Sequence, residues 1–192
     1  MVDGGYFPKR IEARPDFVKA PTVREICSVS DCISSGPKNW IDLWLHNEFG
    51  WFNTILDAKR ITPVGQESVY RLFAYRIHRE IFRDGVRVPL RIPADVNPQP
   101  IPASFRRLGF DCVNRSTHTV LGFECSPLSC NSMADEILTN EFCLFPTFEA
   151  GLSGAERFSR EQPEPGDYFL IEVLERTDET TAQQVADRMG EQ

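Results

Sequence analysis

Hydrophobic and polar residues alternate most clearly between positions 69 and 92. From 86 to 92 every second residue is apolar, which is the period of a half-buried β-strand. Asp84-Gly85, just before this run, is typical of a two-residue hairpin turn. The preceding residues 69–82 fit a helix or a strand. Their aromatic and β-branched content, together with the turn, favours a strand and therefore a β-hairpin.

Further along the chain the pattern predicts short strands and short helices in turn. A continuous apolar run over 168–174 predicts a central strand. Thr147 is a suitable N-cap for a helix that ends near Arg160. Additional short strands are predicted at 23–27, 108–114, 120–125 and 141–145, and a short helix is predicted at 131–138.

All three tryptophans lie within twelve residues. Trp40 and Trp44 are four positions apart, and other apolar residues follow at helical spacing, so residues 39–52 are predicted to form an aromatic helix. Asn53-Thr54 would then cap a second short helix. Such a helix pair is typical of a core. The alternative is a Trp-lined ligand pocket or a groove for a protein partner that Trp40 and Trp44 contact, since Trp is enriched at binding hot spots.

These elements predict one α+β domain, with an antiparallel or mixed sheet packed against a few short helices. The chain has 192 residues, of which 41% are hydrophobic, and this length suits a single domain. Residues 1–22 contain three prolines and are predicted to form an irregular N-terminal arm. The domain is expected to span 23–175, followed by an acidic C-terminal tail over 176–192.

The sequence favours a soluble cytoplasmic protein. No apolar run approaches the ~18 residues that a membrane-spanning helix needs. The first ten residues lack the apolar stretch of a secretory signal. We therefore expect no membrane association.

Charge is distributed unevenly along the chain. The net charge is −7, yet residues 69–115 hold nine Arg and only four acids, whereas residues 131–192 hold fourteen acids and four Arg. Such asymmetry can steer a charged partner to one face, or the two halves can pair within the fold. The arginines predicted to contact a partner lie along the hairpin, with Arg87 and Arg91 on its outer face and Arg79 and Arg83 across from them.

Four of the six cysteines occur in two copies of the pattern Cys-Ser-x-x-x-Cys. Cys27 and Cys32 form the first pair, and Cys125 and Cys130 form the second. Four thiolates in two such pairs could hold a tetrahedral zinc ion, although the gap of four residues is at the upper limit for structural zinc sites. The sequence favours the other interpretation, in which the thiols are buried and inert and no metal or other cofactor is bound, since free Cys behaves as a small hydrophobic residue.

Catalytic chemistry has one local candidate. His118 lies in a Ser/Thr-rich turn a few residues before Cys125, so Cys125 could act as a nucleophile with His118 as its base. No other catalytic signature accompanies the pair. The element order from 108 to 174 also fits an NAD-consuming transferase, in which Arg115, a following Ser or Thr and a later Glu would form the site.

The sequence therefore favours a non-catalytic protein-interaction protein, such as a regulatory subunit or an inhibitor-like binder in a hetero-complex. Segregated charge, clustered Trp and the lack of a cofactor signature support this interpretation. One alternative is a nucleic-acid-associated protein whose Arg-rich hairpin binds phosphates. The other is a small enzyme with the Cys/His or transferase-like site.

Overall fold

An antiparallel sheet organises the chain in its computed structural model, which describes residues 1–38, 40–66, 68–119 and 121–177. Three helices accompany the strands: α1 (Ile55–Arg60), α2 (Pro127–Cys130) and α3 (Phe148–Glu161). The predicted α+β class is confirmed. In chain order the strands are β1 (Val2–Arg10), β2 (Glu12–Ala13), β3 (Glu25–Ile26), β4 (Tyr70–Arg83), β5 (Val86–Pro89), β6 (Phe105–Arg115) and β7 (Asp167–Arg176).

The main sheet has the order β1-β4-β7-β6, and all its neighbours are antiparallel. β7 lies between β4 and β6, as its continuous apolar sequence predicts, and its residues from Tyr168 to Glu175 are all buried. β5 pairs with the far end of β4, whereas β2 and β3 form a separate small ribbon. The long strands β4, β6 and β7 therefore form the frame on which the irregular segments pack.

The hairpin predicted over 69–92 is confirmed as β4 and β5. Asp84 and Gly85 both have positive φ, 49° and 77°, as a type I′ turn requires. The register places Phe82 opposite Arg87 and Arg83 opposite Val86. Because successive residues of a strand face opposite sides, Arg83 and Arg87 lie on different faces. The prediction that Arg87 and Arg83 lie across from each other was wrong.

The first ten residues are not irregular, which corrects the predicted N-terminal arm. β1 pairs with β4 from Val2 opposite Ile77 to Arg10 opposite Tyr70. Pro8 is compatible with this strand because β1 is at the edge of the sheet, where a missing N–H breaks no ladder. A Cβ atom at Gly4 would lie 2.3 Å from the Trp51 ring, so glycine at this position permits β1 to pack closely against Trp51.

The aromatic helix predicted for 39–52 was also wrong. Only a 3₁₀ turn, Ile41–Leu43, forms within the described part of this segment. The buried Asn47 explains the difference, because its side-chain oxygen accepts from the backbone N–H of Phe49 and Trp51. These local bonds compete with helical hydrogen bonding. The second predicted helix is confirmed as α1, with the Thr54 side chain accepting from the Asp57 N–H.

Both faces of the sheet are covered by hydrophobic side chains. On one face α3 packs with Ala155 and Phe158 toward Leu170 and Tyr168 of β7. The helix has the predicted cap, since Thr147 accepts from the Ala150 N–H. On the opposite face, irregular chain supplies large aromatic residues that meet the other side chains of β4 and β7. This second cluster includes Phe49, Trp51, Phe52, Phe73, Tyr75, Phe169 and Ile171.

Other predicted strands differ from the structure. Residues 121–125 form no strand, although Glu124 N–H and Asn114 N–H bond across to backbone carbonyls in a hairpin-like pair. Residues 141–145 contribute a single bridge, between Phe145 and Phe110. The helix predicted at 131–138 is reduced to a 3₁₀ turn, Met133–Asp135. Of the predicted acidic tail, residues 178–192 lie outside the described residues.

In the described ranges, no helix combines the length and the hydrophobicity needed to cross a bilayer.

Because α3 is closely packed, one Gly-to-Ala substitution in this helix is expected to lower the free energy of unfolding instead of raising it. Replacing Gly by Ala inside a helix ordinarily stabilises it by about 1 kcal/mol. At Gly154, however, a Cβ would lie 2.2 Å from the ring of the buried Phe145. We expect Gly154→Ala to lower the free energy of unfolding by about 1–3 kcal/mol, as overpacking does, when measured by urea denaturation.

Ser153→Ala, at an exposed position on the same helix, is the matched control and should not destabilise the protein. A Gly154→Ala variant as stable as the wild type would contradict the described packing of α3.

Candidate functional site

Three cysteines from two segments that are distant in sequence meet at one end of β6. The Cys32 and Cys125 sulfurs are 3.5 Å apart, and the Cys130 sulfur lies within 4.8 Å of both. We call Cys32, Cys125 and Cys130 the thiol cluster. Cys32 is exposed and the other two are half-buried, so solvent reaches the cluster from the Cys32 side. Three of the four cysteines predicted as zinc ligands are thus brought together.

The fourth, Cys27, lies elsewhere. It follows β3 and is almost fully buried, with its sulfur 3.6 Å from the Glu25 carboxylate and near Arg71. Burial raises the pKa of the Cys27 thiol well above its ordinary value, although the Arg71 charge opposes the shift. Cys27 is therefore a neutral, packed thiol. The first cysteine pair contributes one sulfur to the thiol cluster, and the second pair contributes two.

The two Cys-Ser patterns are nevertheless joined, through the serines. Ser28 donates to one oxygen of the buried Asp111 carboxylate at 2.8 Å, and Ser126 donates to the other at 2.7 Å. The backbone N–H of Val29 donates to the same carboxylate at 2.8 Å. Asp111 lies in the middle of β6 and is fully buried. It therefore links the segment that precedes Cys32 to the segment that carries Cys125 and Cys130.

Sequence reasoning missed Asp111. The available signal was the serine that follows the first cysteine of each pair. Both serines carry a hydroxyl donor, and both donate to Asp111. Burial raises the pKa of Asp111, whereas the bonds from Ser126, Val29 and Ser28 and the Lys9 charge lower it. A buried carboxyl with several donors is a rigid connection, because every donor would lose its partner if the group moved.

A buried lysine orders the chain just before Cys32. Lys9 of β1 is 1% exposed, and its ammonium group donates to the carbonyl oxygens of Ser28, Val29 and Ser30 at 2.8, 2.9 and 2.6 Å. It also pairs with Asp31 at 3.0 Å. Four oxygens around one ammonium compensate for its removal from water. Residues 28–31 are consequently fixed in one conformation.

The other two cysteines are positioned by β6 and a short helix. The Asn114 side-chain oxygen accepts from the Cys125 N–H at 2.8 Å. Its amide nitrogen donates to Glu124 and to the Pro165 carbonyl. Cys130 ends α2, and its N–H donates to the Ser126 carbonyl at 2.8 Å. Backbone bonds therefore hold both thiols in place independently of any sulfur–sulfur contact.

The three thiols differ in acidity. The neighbouring Cys130 thiol, the Ser30 hydroxyl and the Cys125 thiol lower the pKa of Cys32 to about 5, although partial burial and the Asp31 charge oppose the shift. Burial and the neighbouring Cys32 sulfur raise the pKa of Cys125 to about 12. The Cys32 sulfur, together with burial, also raises the pKa of Cys130. Cys32 is therefore the most acidic thiol of the cluster.

The Cys125–His118 pair is not assembled as a nucleophile and base. The Cys125 sulfur faces Cys32, and the exposed His118 makes its hydrogen bond through its backbone N–H, to Ser116. No hydrogen bond joins the two side chains in the described part of the chain. Ser116 and Thr119 donate instead to Glu124, which lowers the pKa of that carboxyl against the effect of burial. Arg115, named for a transferase site, lines a cavity of about 470 Å³ with Arg83, Ser116 and Thr117.

Most arginines of the basic region pair with the protein's own acids. Arg83 bonds Asp167 at 2.6 Å, and Arg87 bonds Glu156 of α3. Two nearly buried glutamates of β7 take two arginines each, Arg76 and Arg107 on Glu172 and Arg71 and Arg106 on Glu175. Arg79 and Arg91 are exposed, and no ion pair involves them among the described residues. Of the four predicted contact arginines, these two remain available to a partner.

Trp40 and Trp44 have different environments. Trp40 is partly buried, with its ring 5.1 Å from the Phe7 ring. Trp44 is 82% exposed. Ile41, Leu43 and Leu45 are also exposed, so residues 41–45 form an apolar segment on the surface. A cavity of about 220 Å³ adjoins this apolar segment and is lined by residues that include Trp40, Ile41, Phe49, Leu121 and Phe123.

The role of Asp111 as a connection predicts a large loss of stability when it is removed. Asp111→Ala leaves the Ser28 and Ser126 hydroxyls and the Val29 N–H buried without an acceptor. Each such group costs about 1–3 kcal/mol, so we expect a loss of at least about 3 kcal/mol in the free energy of unfolding, measured with urea.

Asp16→Ala is the control, since Asp16 is an exposed aspartate away from this network, and its stability should match the wild type. An Asp111→Ala protein with an unchanged urea midpoint would show that the carboxylate does not join the two segments.

In comparison with known proteins, the chain matches no protein-family model, no curated protein and no solved structure. The features of the structure that bear on its function are the thiol cluster, the apolar segment and the charged surface.

Proposed function

We propose that this chain is a non-catalytic cytosolic protein-interaction protein that binds another protein through the apolar segment 41–45. The observation that carries the proposal is the exposure of Trp44, at 82%, among three further exposed aliphatic residues. Large apolar side chains grouped on a surface mark interaction sites, whereas scattered ones do not. Tryptophan is also the residue type most enriched at the energetic centres of interfaces.

The backbone of the apolar segment supports this role. Trp44 has a φ of 50°, a left-handed conformation that costs a non-glycine residue about 1–2 kcal/mol. Its N–H closes the 3₁₀ turn by donating to the Ile41 carbonyl. Strained conformations of this kind persist where the surrounding structure imposes them, and they cluster at functional sites. Here the turn directs an indole into solvent.

The segment is held at both ends by buried structure. At its start, Trp40 packs against Phe7 and Phe52. Just beyond it, Asn47 is buried and donates to the Gly4 carbonyl of β1. A binding loop that is already ordered loses less conformational entropy when a partner docks. The apolar segment is therefore preorganised rather than a free loop.

The adjoining cavity extends the apolar surface. Trp40 and Ile41 belong to both features, so a partner that receives Trp44 can place a small apolar side chain in the cavity. Gly50 and Gly122 leave this space open, since a Cβ at Gly50 would lie 3.1 Å from the Trp40 ring. A projecting residue next to a recess is typical of complementary protein interfaces.

Charge favours a protein over a lipid surface as the partner. Asp42 is exposed within the apolar segment, and the chain has a net charge of −7. Anionic lipid headgroups attract basic segments and repel acidic ones. A protein with an apolar pocket and a basic rim matches both the indole and the Asp42 carboxylate.

The remaining parts of the proposal concern charge and compartment. Arg79 and Arg91 are exposed and contribute a secondary positive contact, whereas Arg83 and Arg87 stabilise the fold through Asp167 and Glu156. All six cysteines are free thiols, which supports a reducing compartment such as the cytosol.

The test compares Trp44→Ser with Val64→Ser. Val64 is 96% exposed but lies outside the apolar segment, so its substitution removes an exposed apolar side chain without touching the site. Tagged full-length proteins are used to capture binding proteins from cell extract, and the protein enriched most by wild type is purified and titrated. We expect Trp44→Ser to weaken its binding by about 30-fold or more, as loss of a ~2 kcal/mol hot spot does.

Val64→Ser should bind that protein as tightly as the wild type does. Equal affinity for the wild type and Trp44→Ser would contradict the proposal. The proposal would also be contradicted if the chain bound anionic vesicles or single-stranded nucleic acid through this segment instead of a protein.

A further inference from the structure

We propose that Cys32, Cys125 and Cys130 form a binding site for a thiophilic divalent cation, for which zinc is the best chemical match. The site is separate from the apolar segment and does not depend on the proposed interaction function. Thiolates are preferred ligands of zinc, and three of them converge here from two segments about a hundred residues apart in sequence.

The sulfur spacing fits tetrahedral coordination. With Zn–S bonds of about 2.3 Å, the sulfurs of a tetrahedral site lie about 3.8 Å apart. The Cys32 and Cys125 sulfurs are 3.5 Å apart, and all three lie within 4.8 Å of one another. The observed spacings are therefore within about 1 Å of those that a tetrahedral zinc site needs.

The frame around the sulfurs is already built. Asp111 joins the two segments, Lys9 fixes the residues before Cys32, and Asn114 fixes Cys125. None of these contacts uses a cysteine sulfur. A site whose ligands are positioned by their surroundings needs little reorganisation to bind a metal.

A disulfide explains the cluster less well. A disulfide joins two sulfurs at about 2.05 Å and would leave the third thiol beside it without a role. A metal ion uses all three sulfurs and needs no oxidant. Each thiol that binds releases its proton to solvent, and the oxidation states of sulfur and metal do not change.

Three protein ligands leave the fourth position of the tetrahedron on the solvent side, where Cys32 is exposed. Polar oxygens also lie near the sulfurs: the Glu124 carbonyl oxygen is 3.4 Å from the Cys32 sulfur, and the Ser30 and Ser129 hydroxyls are each 3.9 Å from the Cys130 sulfur. All three are weak zinc ligands compared with thiolates. Water, or a group from outside the chain, therefore completes the coordination.

The experiment uses the full chain, reduced and stripped of metal with a chelator. It is titrated with Co²⁺, which takes the geometry of zinc sites and reports thiolate ligation by its charge-transfer absorption, and Zn²⁺ is then added in competition. We expect one equivalent of Co²⁺ to bind with a tetrahedral thiolate spectrum and one equivalent of Zn²⁺ to displace it. Cys32→Ser, Cys125→Ser and Cys130→Ser should each abolish the stoichiometric signal.

Cys27→Ala is the matched control, because Cys27 belongs to the same sequence pattern but lies outside the thiol cluster. It should keep the full signal. Loss of the signal in Cys27→Ala, or its survival in Cys32→Ser, would overturn the assignment of ligands.

A second measurement on the wild type covers the case in which a variant fails to fold. Alkylation of the native protein, followed by mass mapping, should show that Zn²⁺ protects Cys32, Cys125 and Cys130 together. Alkylation that is unchanged by Zn²⁺, or a Cys32–Cys125 disulfide that forms with equal ease when Zn²⁺ is present, would overturn the proposal.

Discussion

The Asp111 carboxylate is the contact on which the arrangement of the irregular chain depends. It lies fully buried in β6 and accepts hydrogen bonds from Ser28 and Ser126, one residue after the first cysteine of each Cys-Ser pattern. A carboxyl group in this position is favourable only while its donors surround it, since a buried polar group without partners costs several kcal/mol. The same condition fixes both segments against the sheet. Together with the contacts of Lys9 and Asn114, this connection brings the three thiols together at the end of β6.

Most of the charged side chains described above are also paired with one another within the fold. The sequence separates a basic region from an acidic one, and the fold brings them together again. Glu172 and Glu175 of β7 are nearly buried and each takes two arginines, while Asp167 and Glu156 take Arg83 and Arg87. Arginine suits this role because its planar group bonds carboxylates at two points. Most of the charge asymmetry is therefore used inside the molecule, and the apolar segment 41–45 becomes the most distinctive feature of its surface.

Sequence patterns predicted only part of the regular structure, since β1 was expected to be irregular and the helix expected over 39–52 does not form in the described residues. The β4–β5 hairpin, the central β7 and the Thr54 and Thr147 caps follow from periodicity, turn chemistry and local hydrogen bonding, which act over a few residues. Residues 39–52 have helical spacing, yet Asn47 ties them to β1, a contact that no local pattern reveals. The thiol cluster was predicted in part, because the repeated spacing includes its members Cys32, Cys125 and Cys130 but also includes Cys27, which lies elsewhere. Which cysteines converge depends on Asp111 and Lys9, residues that the spacing does not include.

These long-range contacts position the three sulfurs of the proposed metal site. X-ray absorption at the zinc edge of the zinc-loaded full-length protein observes that site itself, because the method counts sulfur neighbours and measures their distance. We expect three sulfur neighbours at about 2.3 Å and one lighter atom. A shell of nitrogen and oxygen alone would contradict the site, and a shell of four sulfurs would contradict the placement of Cys27 outside it.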